Sequence, residues 1–494
     1  MTYDSRINTK PHELTHQRNL RRKPPSSERA ARRLEQSAAL RIADLLDPVI
    51  FYSILGLMFL SAIPYGTVEP WWKALFVCFV FSLWIIAMIE SVLGQTRQTI
   101  DWQLLLPLFA LVALALIQTL PLGARSNPTI PYKTWNAISA DPYQTQFFAV
   151  QLLAVALAGA LFARFAHTEF RVNVLINVII AVVACSAIFG VVRQTNQHDV
   201  GFGLPLLSPA RGYGQFINPN HFALLMEMGF GLILGMILGR GTKREVTLVY
   251  GALLLVVWTA LVLSNSRGGL LAMLAQILVC GLLYTVVVPA SKAEGSRSKL
   301  LGLLRSLPAR TLLLIVLLTG VVLGTLWIGG DRLVSRFEDS SGGLNTAETR
   351  QGGSRNEIWR ATWQAFKANP ITGVGLGGYW AAIPAYHDAS GSLTPQEAHN
   401  EYLELLASGG IVGALLGAWF IFIVGKRIAG NLRKSNSAQR AARYGAVLGI
   451  VGVAVHSLFD FGLHMLVNAL IFAALIVIAT RGGQREHRLR RRNA

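Results

Sequence analysis

The sequence predicts an all-α polytopic membrane protein: about twelve transmembrane helices, with one large outer-face loop containing short helices. Composition is the first reason. Of 494 residues, 52% are hydrophobic and only 14% charged, with a mean hydropathy of +0.45, whereas soluble domains are about one quarter charged. The second reason is the number of apolar runs that approach the roughly 20 residues a helix needs to cross a bilayer. They fall at 48–65, 71–93, 102–121, 145–165, 172–192, 220–239, 245–264, 267–289, 309–328, 402–425, 443–461 and 464–480.

Residues 1–46 are polar and basic, hold no apolar core of a signal-peptide kind, and read as a disordered cytoplasmic tail. Spans one to nine occupy 47–328, the long loop 329–400, the last three spans 401–480, and a second basic tail ("RLRRRNA" at its end) 481–494. Lys and Arg beside span ends favour the cytoplasm. With alternating spans, the basic loops 240–244, 292–310 and 426–443 share one side with both tails. The expectation is therefore a multi-pass protein of the cell inner membrane, both termini cytoplasmic and loop 329–400 periplasmic. Orientation and attraction to anionic membrane lipids account for most of the +19 formal charge, so no nucleic-acid partner is expected. Cys78, Cys185 and Cys280 each fall in a different apolar span and read as small hydrophobes, not as a disulfide framework or a metal site.

Arginines on the outer side run against the insertion bias. Arg211, in "RGYGQFINPNHFALLMEMG", precedes the turn Asn218-Pro219 and the start of a span at Asn220. Arg267, in "SNSRGG", sits in the first turn of span eight, with Ser264 or Ser266 as the cap. A helix N-terminus attracts anions, and an arginine is unfavourable there unless an anion is bound; its planar fork fits phosphate or carboxylate. Loop arginines paired with lipid phosphate are the plainer alternative.

In the long loop, "SRNEIWRATWQAFKANP" predicts a helix that begins at Ser354–Arg355 with a Ser354/Glu357 capping box and stops at Asn369-Pro370. Ile358, Trp359, Thr362, Trp363 and Phe366 would form one face, either at the membrane interface or packed on the spans. "GVGLGGY" at 373–379 licenses a tight turn or a close backbone approach to a ligand, and no dinucleotide fingerprint.

"AHNEYLELLASGGIVGALLG" at 398–417 places His399, Asn400, Glu401 and Glu404 at the lip of an apolar helix. A histidine beside carboxylates suits a general base, though such a histidine is more often a cap or hydrogen-bond partner. In "HSLFDFGLHMLVNAL", His456, Asp460 and His464 are spaced by four. A buried His456–Asp460 pair shaping an outer cavity is favoured over a metal site, because Phe461-Gly462 interrupts the helix. Glu227 is an intramembrane ionisable group and so a functional candidate.

Arginines can neutralise a lipid diphosphate leaving group without a metal, and no Asp-x-Asp pair of a metal–nucleotide-sugar site occurs. At this point the sequence resembles the O-antigen ligase and polymerase superfamily of glycosyltransferases. The likeness is carried by "RGYGQFINPNHFA", "SNSRGG", "SRNEIWRATWQAFKANPITGVGLGGY" and His399-Asn400, nine residues, then Gly410-x-x-Gly413. It covers about residues 200 to 425. Ala407-Ser408-Gly409 stands where the family usually has an acidic residue, and "HSLFDFGLH" is similar to polymerase-like members. The resemblance implies that Arg211 and Arg267 grip the diphosphate of an undecaprenyl-linked glycan donor. His399 would activate the hydroxyl of a glycan or lipid-linked acceptor. Transfer would invert the anomeric centre, with no metal and no cofactor. Asn218, Asn220, Glu227, Arg355, Asn400, Glu404, His456 and Asp460 are the expected substrate-binding residues. A transporter or flippase, or a non-catalytic scaffold, are the competing readings; polar residues crowded at the outer ends weigh against a transporter.

Overall fold

A computed structural model describes residues 26–63, 65–96, 100–122, 137–196, 212–239, 244–287, 315, 355–387, 395–432 and 437–481. Among these the regular structure is helical, apart from an isolated Tyr213–Phe216 bridge. The helices are α1 (Ser26–Ser61), α2 (Pro70–Leu93), α3 (Trp102–Gln118), α4 (Pro142–Phe165), α5 (Glu169–Asn196), α6 (Pro219–Leu238), α7 (Arg244–Leu263), α8 (Arg267–Val287), α9 (Arg355–Ala368), α10 (Glu401–Asn431), α11 (Ser437–His456) and α12 (Leu466–Thr480). Short helical turns follow at Tyr379–Ala382, Ile383–Ala385 and Gly462–His464.

Among the described residues, seven helices are long and apolar enough to cross a membrane, and three shorter apolar ones join them. The chain is a polytopic membrane protein. Eleven of the twelve expected stretches overlap helices; 309–328, apart from residue 315, lies outside the described residues. At the N-terminus there is a difference: α1 already begins at Ser26, so 26–46 continue the first span's helix instead of forming an irregular tail. Its "SERAARRLEQSAALR" is rich in Ala, Arg, Glu and Leu, all good helix formers.

α6 is the central helix, buried along nearly its whole length. It packs antiparallel to α11 through facing small residues: Gly231, Gly235 and Gly239 against Ala441, Gly445 and Gly449. A Cβ on Gly231 would come within 2.5 Å of Gly449 N, and one on Gly445 within 2.5 Å of Leu232 O. Small residues at every fourth position let two backbones touch, which is how helices gain contact where lipid removes the hydrophobic drive. This register also sets Glu227 of α6 against His456 of α11.

One end of the bundle holds the starts of α6, α8, α10 and α12 and the finish of α5 and α11. Asn468 Nδ2 donates to His221 O there (3.0 Å). At the opposite end Arg164–Glu90, Arg171–Asp47 and Arg427–Asp101 form ion pairs, and Arg481 Nη1 donates to Ala166 O (2.8 Å).

α10 is broken at Gly410, whose φ of 63° and ψ of −164° are essentially open to glycine alone. The segment 370–376 fills the break: Val374 N donates to Ala407 O (2.9 Å), Gly375 N to Ser408 O (2.9 Å) and Ile411 N to Pro370 O (2.8 Å). Gln118 of α3 completes the joint. Its Nε2 donates to Ser408 O (2.9 Å) and its Oε1 accepts from Leu376 N (2.9 Å). The glycines of "GVGLGGY" are thus needed for close approach of backbone to Ser408 and Ser139.

Candidate active site

His399 is the last residue but one before α10 and adopts φ 51°, the left-handed region that non-glycine residues seldom occupy. The preceding residue is clamped on both sides. Trp359 of α9 donates from Nε1 to Ala398 O (3.0 Å), and Glu404 Oε2 accepts from Ala398 N (2.8 Å). Asn400 caps α10 by accepting from Leu403 N (3.0 Å). Helix start, α9 and Glu404 together hold the histidine in its strained conformation.

The His399 ring meets Asp460, with Nδ1 3.0 Å from Oδ1. It also lies edge-on to Phe461, centroids 5.0 Å apart. Asp460 is buried while His399 keeps a third of its side chain exposed. Burial by itself would raise the Asp460 carboxyl. The hydrogen bond with His399 and the neighbouring histidines outweigh it and hold the group down at about 2. An ionised carboxylate only accepts, so Nδ1 carries a proton, and in the neutral ring Nε2 is then the nitrogen with the lone pair.

The expected His456–Asp460 pair does not form. α11 ends at His456 and the turn 457–459 carries Asp460 off that face, so four-residue spacing no longer brings the two side chains together. His456 pairs instead with Glu227, Nδ1 to Oε1 at 2.6 Å, both buried. Against this pair sits the start of α8: a Cβ on Gly268 would be 3.5 Å from His456 Nε2, and one on Gly269 3.1 Å from Glu227 Oε1. The two glycines of "SNSRGG" therefore let the first turn of α8 pack against the Glu227–His456 pair. Ser266 is the cap, accepting from Gly269 N (3.1 Å), and its hydroxyl donates to Asn220 Oδ1 (2.8 Å). Asn218 caps α6 through Asn220 N (2.9 Å) and approaches His221 Nε2 (3.4 Å). His221 lies edge-on to the same Phe461 (4.7 Å).

Arg267, exposed, and His399 thus share one end of the bundle, at the starts of α8 and α10. Arg211 lies outside the described residues. Arg355 opens α9. On α9, Ile358 and Thr362 are buried, Thr362 Oγ1 being 2.7 Å from Tyr379 Oη, while Trp363 is exposed and tilted against Phe366. The expected single aromatic face is divided between packing and surface.

Sequence reasoning gave no role to Glu397 or His221, and none beyond a metal spacing to His464. His464 Nδ1 is 3.2 Å from Glu397 Oε1, and its Nε2 lies 3.6 Å from Glu401 and 3.7 Å from Glu404. Burial alone would lower the imidazole. Glu397 and Glu401 outweigh it, and the group stands well above its ordinary value. Burial would raise Glu397, but His464 beside it brings that carboxyl below the ordinary value. Glu397, Glu404 and His464 place ligand atoms within 4.8 Å of one another, a grouping that could hold a metal ion. It differs from the His456/Asp460/His464 set that spacing suggested. A signal existed in the density of Glu and His in "QEAHNEYLE" and "FGLH", but the pairing crosses more than 60 residues.

The fold and site define a polytopic membrane protein with a carboxylate-oriented histidine and a helix-start arginine at one end. Residues 251–418, about a third of the chain, match the family model described as O-antigen ligase. That likeness implies an enzyme of glycosyltransferase type, of the ligase/polymerase kind that acts on lipid-linked glycans in surface-polysaccharide synthesis. A comparison with curated proteins finds no match.

Proposed function

We propose that this protein transfers a glycan from an undecaprenyl-diphosphate carrier to an acceptor hydroxyl at the periplasmic face of the inner membrane. The observation that carries this reading is the His399–Asp460 pair, set at the same bundle end as Arg267. Asp460 fixes the tautomer, and His399 Nε2 takes the proton of the acceptor hydroxyl as its oxygen bonds to the anomeric carbon. The bond from that carbon to the diphosphate oxygen breaks with its electron pair, and undecaprenyl diphosphate leaves. Arg267 and Arg211 balance the charge that develops on the leaving group. Attack opposite the leaving group inverts the anomeric centre, and arginines fill the place a metal holds in nucleotide-sugar enzymes.

Asn218, Asn220, Asn400 and Glu404 act chiefly by holding the helix starts that carry Arg267 and His399. Glu227 and His456, both buried, support the start of α8. Arg355 lies close enough in sequence to Trp359 to serve the acceptor side. The basic tails and loops face the cytoplasm, and twelve spans bring both termini there.

The test is transfer in vitro from an undecaprenyl-diphosphate glycan, in EDTA, with the product anomer read by NMR. Inverted product formed by wild type, and lost in Arg211→Ala and Arg267→Ala, fits the proposal. Product of retained configuration, or turnover that stops in EDTA and returns with a divalent cation, contradicts it.

A further inference from the structure

Arg193, in the last turn of α5, is 1% exposed and among the largest fully buried side chains of the protein. Its Nη1 donates to Gly214 O (2.7 Å), in the short turn Tyr213–Phe216 that leads into α6. Its Nε and Nη2 are buried with no hydrogen-bond partner among the described residues. These two atoms make up one edge of the guanidinium, the side-on fork that grips two oxygens of a phosphate or carboxylate at once. The same turn buries two further orphaned groups, Tyr213 Oη and Gln215 Oε1, while Gln215 Nε2 is engaged by Ser186 Oγ (2.8 Å).

A buried charge persists when it is paired; left unpaired it is strongly destabilising. The negative end of the α5 dipole offsets part of that penalty, and Gly214 O satisfies one nitrogen. Neither supplies the two parallel acceptors that the free edge is shaped for. Close packing fixes the guanidinium: a Cβ on Gly190 would lie 2.8 Å from the Tyr213 ring, and one on Gly214 2.7 Å from Phe222. Phe222 is preceded along α6 by His221, whose ring meets Phe461 of the His399 stack, so both groups stand at the start of the same helix.

We infer that Arg193 is a phosphate-binding residue, holding an oxyanion side-on through Nε and Nη2 behind the start of α6. Resting on the glycosyl-transfer reading, the oxyanion is the diphosphate of the carrier; a membrane-lipid phosphate has the same chemistry and is separated by experiment. The turn 213–216 parts from α5 to admit it, and the apolar wall of Tyr213 and Phe222 keeps the contact dry, where a charge-assisted pair is strongest.

Binding of undecaprenyl diphosphate, phosphatidylglycerol and inorganic diphosphate to the purified full-length protein tests this, with wild type and Arg193→Lys compared. Lysine keeps the charge and loses the side-on fork. The expected result is undecaprenyl diphosphate binding weakened by about tenfold or more in R193K, with a matching rise in donor KM and a smaller change in kcat. Equal weakening for phosphatidylglycerol supports the oxyanion site with a lipid source. Affinities of R193K equal to wild type for all three overturn the inference. If wild type binds undecaprenyl diphosphate and R193K matches it, the inference alone fails. If wild type binds none, the glycosyl-transfer reading fails with it. Should R193K not fold, a structure of wild type with undecaprenyl diphosphate decides: phosphate oxygens against Nε and Nη2 support the site, and phosphate elsewhere overturns it.

Discussion

His399 Nδ1 and Asp460 Oδ1 stand 3.0 Å apart, the histidine on the lip of α10 and the carboxylate in the turn after α11. The carboxylate sets the ring's tautomer, so Asp460→Asn leaves the fold in place while letting an amide N–H face Nδ1. Loss of the correct tautomer is expected to lower kcat by about 10²-fold or more, with donor KM little changed. Steady-state kinetics on purified protein checks this.

The depressed Asp460 has a pH consequence. Its folded-state value of about 2 lies below its ordinary 3.8, so its stabilising effect is present above about pH 4 and fades as pH falls toward 2. The melting stability that separates wild type from D460N should therefore shrink as pH falls from about 4 toward 2, as followed by thermal melts in detergent.

His464 has the opposite sign. Its folded-state value is raised, so its pairing with Glu397, Glu401 and Glu404 contributes stability fully below about pH 6.5 and loses it as pH rises through the folded value. His464→Gln is expected to lower stability by about 1–3 kcal/mol at pH 6. The gap to wild type should narrow in alkaline buffer, as followed by thermal melts in detergent.

Two glycines of one motif should behave differently. At Gly410 a Cβ would collide with Ile371 O, and the backbone sits in a glycine-only region. Gly410→Ala should therefore destabilise by on the order of 1–3 kcal/mol or more. At Gly413 the nearest neighbours of a Cβ are ordinary contacts at 3.6 and 3.7 Å, so Gly413→Ala should melt close to wild type. Equal melting of both variants would remove the break as the reason for Gly410.

The α6–α11 seam yields a further expectation. A Cβ on Gly235 would overlap the Gly445 backbone, so Gly235→Val forces the helices apart and slides Glu227 off His456. Stability should fall by about 1–3 kcal/mol, and transfer should fall further than stability does. Gly251→Val, where nothing lies within 4 Å, is the control.

Hydropathy exposed the helices because each span's length and apolarity are local properties: Pro70–Leu93 and Pro219–Leu238 lie within a few residues of their expected limits. His399 and Arg267 were visible because each departs from its surroundings, a histidine at an apolar lip and an arginine at a helix start. What stayed hidden depends on backbone geometry that no window holds. Four-residue spacing pointed Asp460 at His456, and the end of α11 turned it to His399. Glu397 carried no periodic signal until the chain folded it onto His464. The glycines at 231, 235, 239, 445 and 449 drew no reading from the sequence, because their role depends on which helices meet.

The central claim is that His399, oriented by Asp460, removes the acceptor hydroxyl's proton in transfer from a lipid diphosphate. The most direct measurement is single-turnover transfer from an undecaprenyl-diphosphate glycan by wild type and His399→Ala at matched melting stability. A fall in rate of about 10²- to 10⁴-fold, with donor binding preserved, is the predicted result. Equal rates would contradict it.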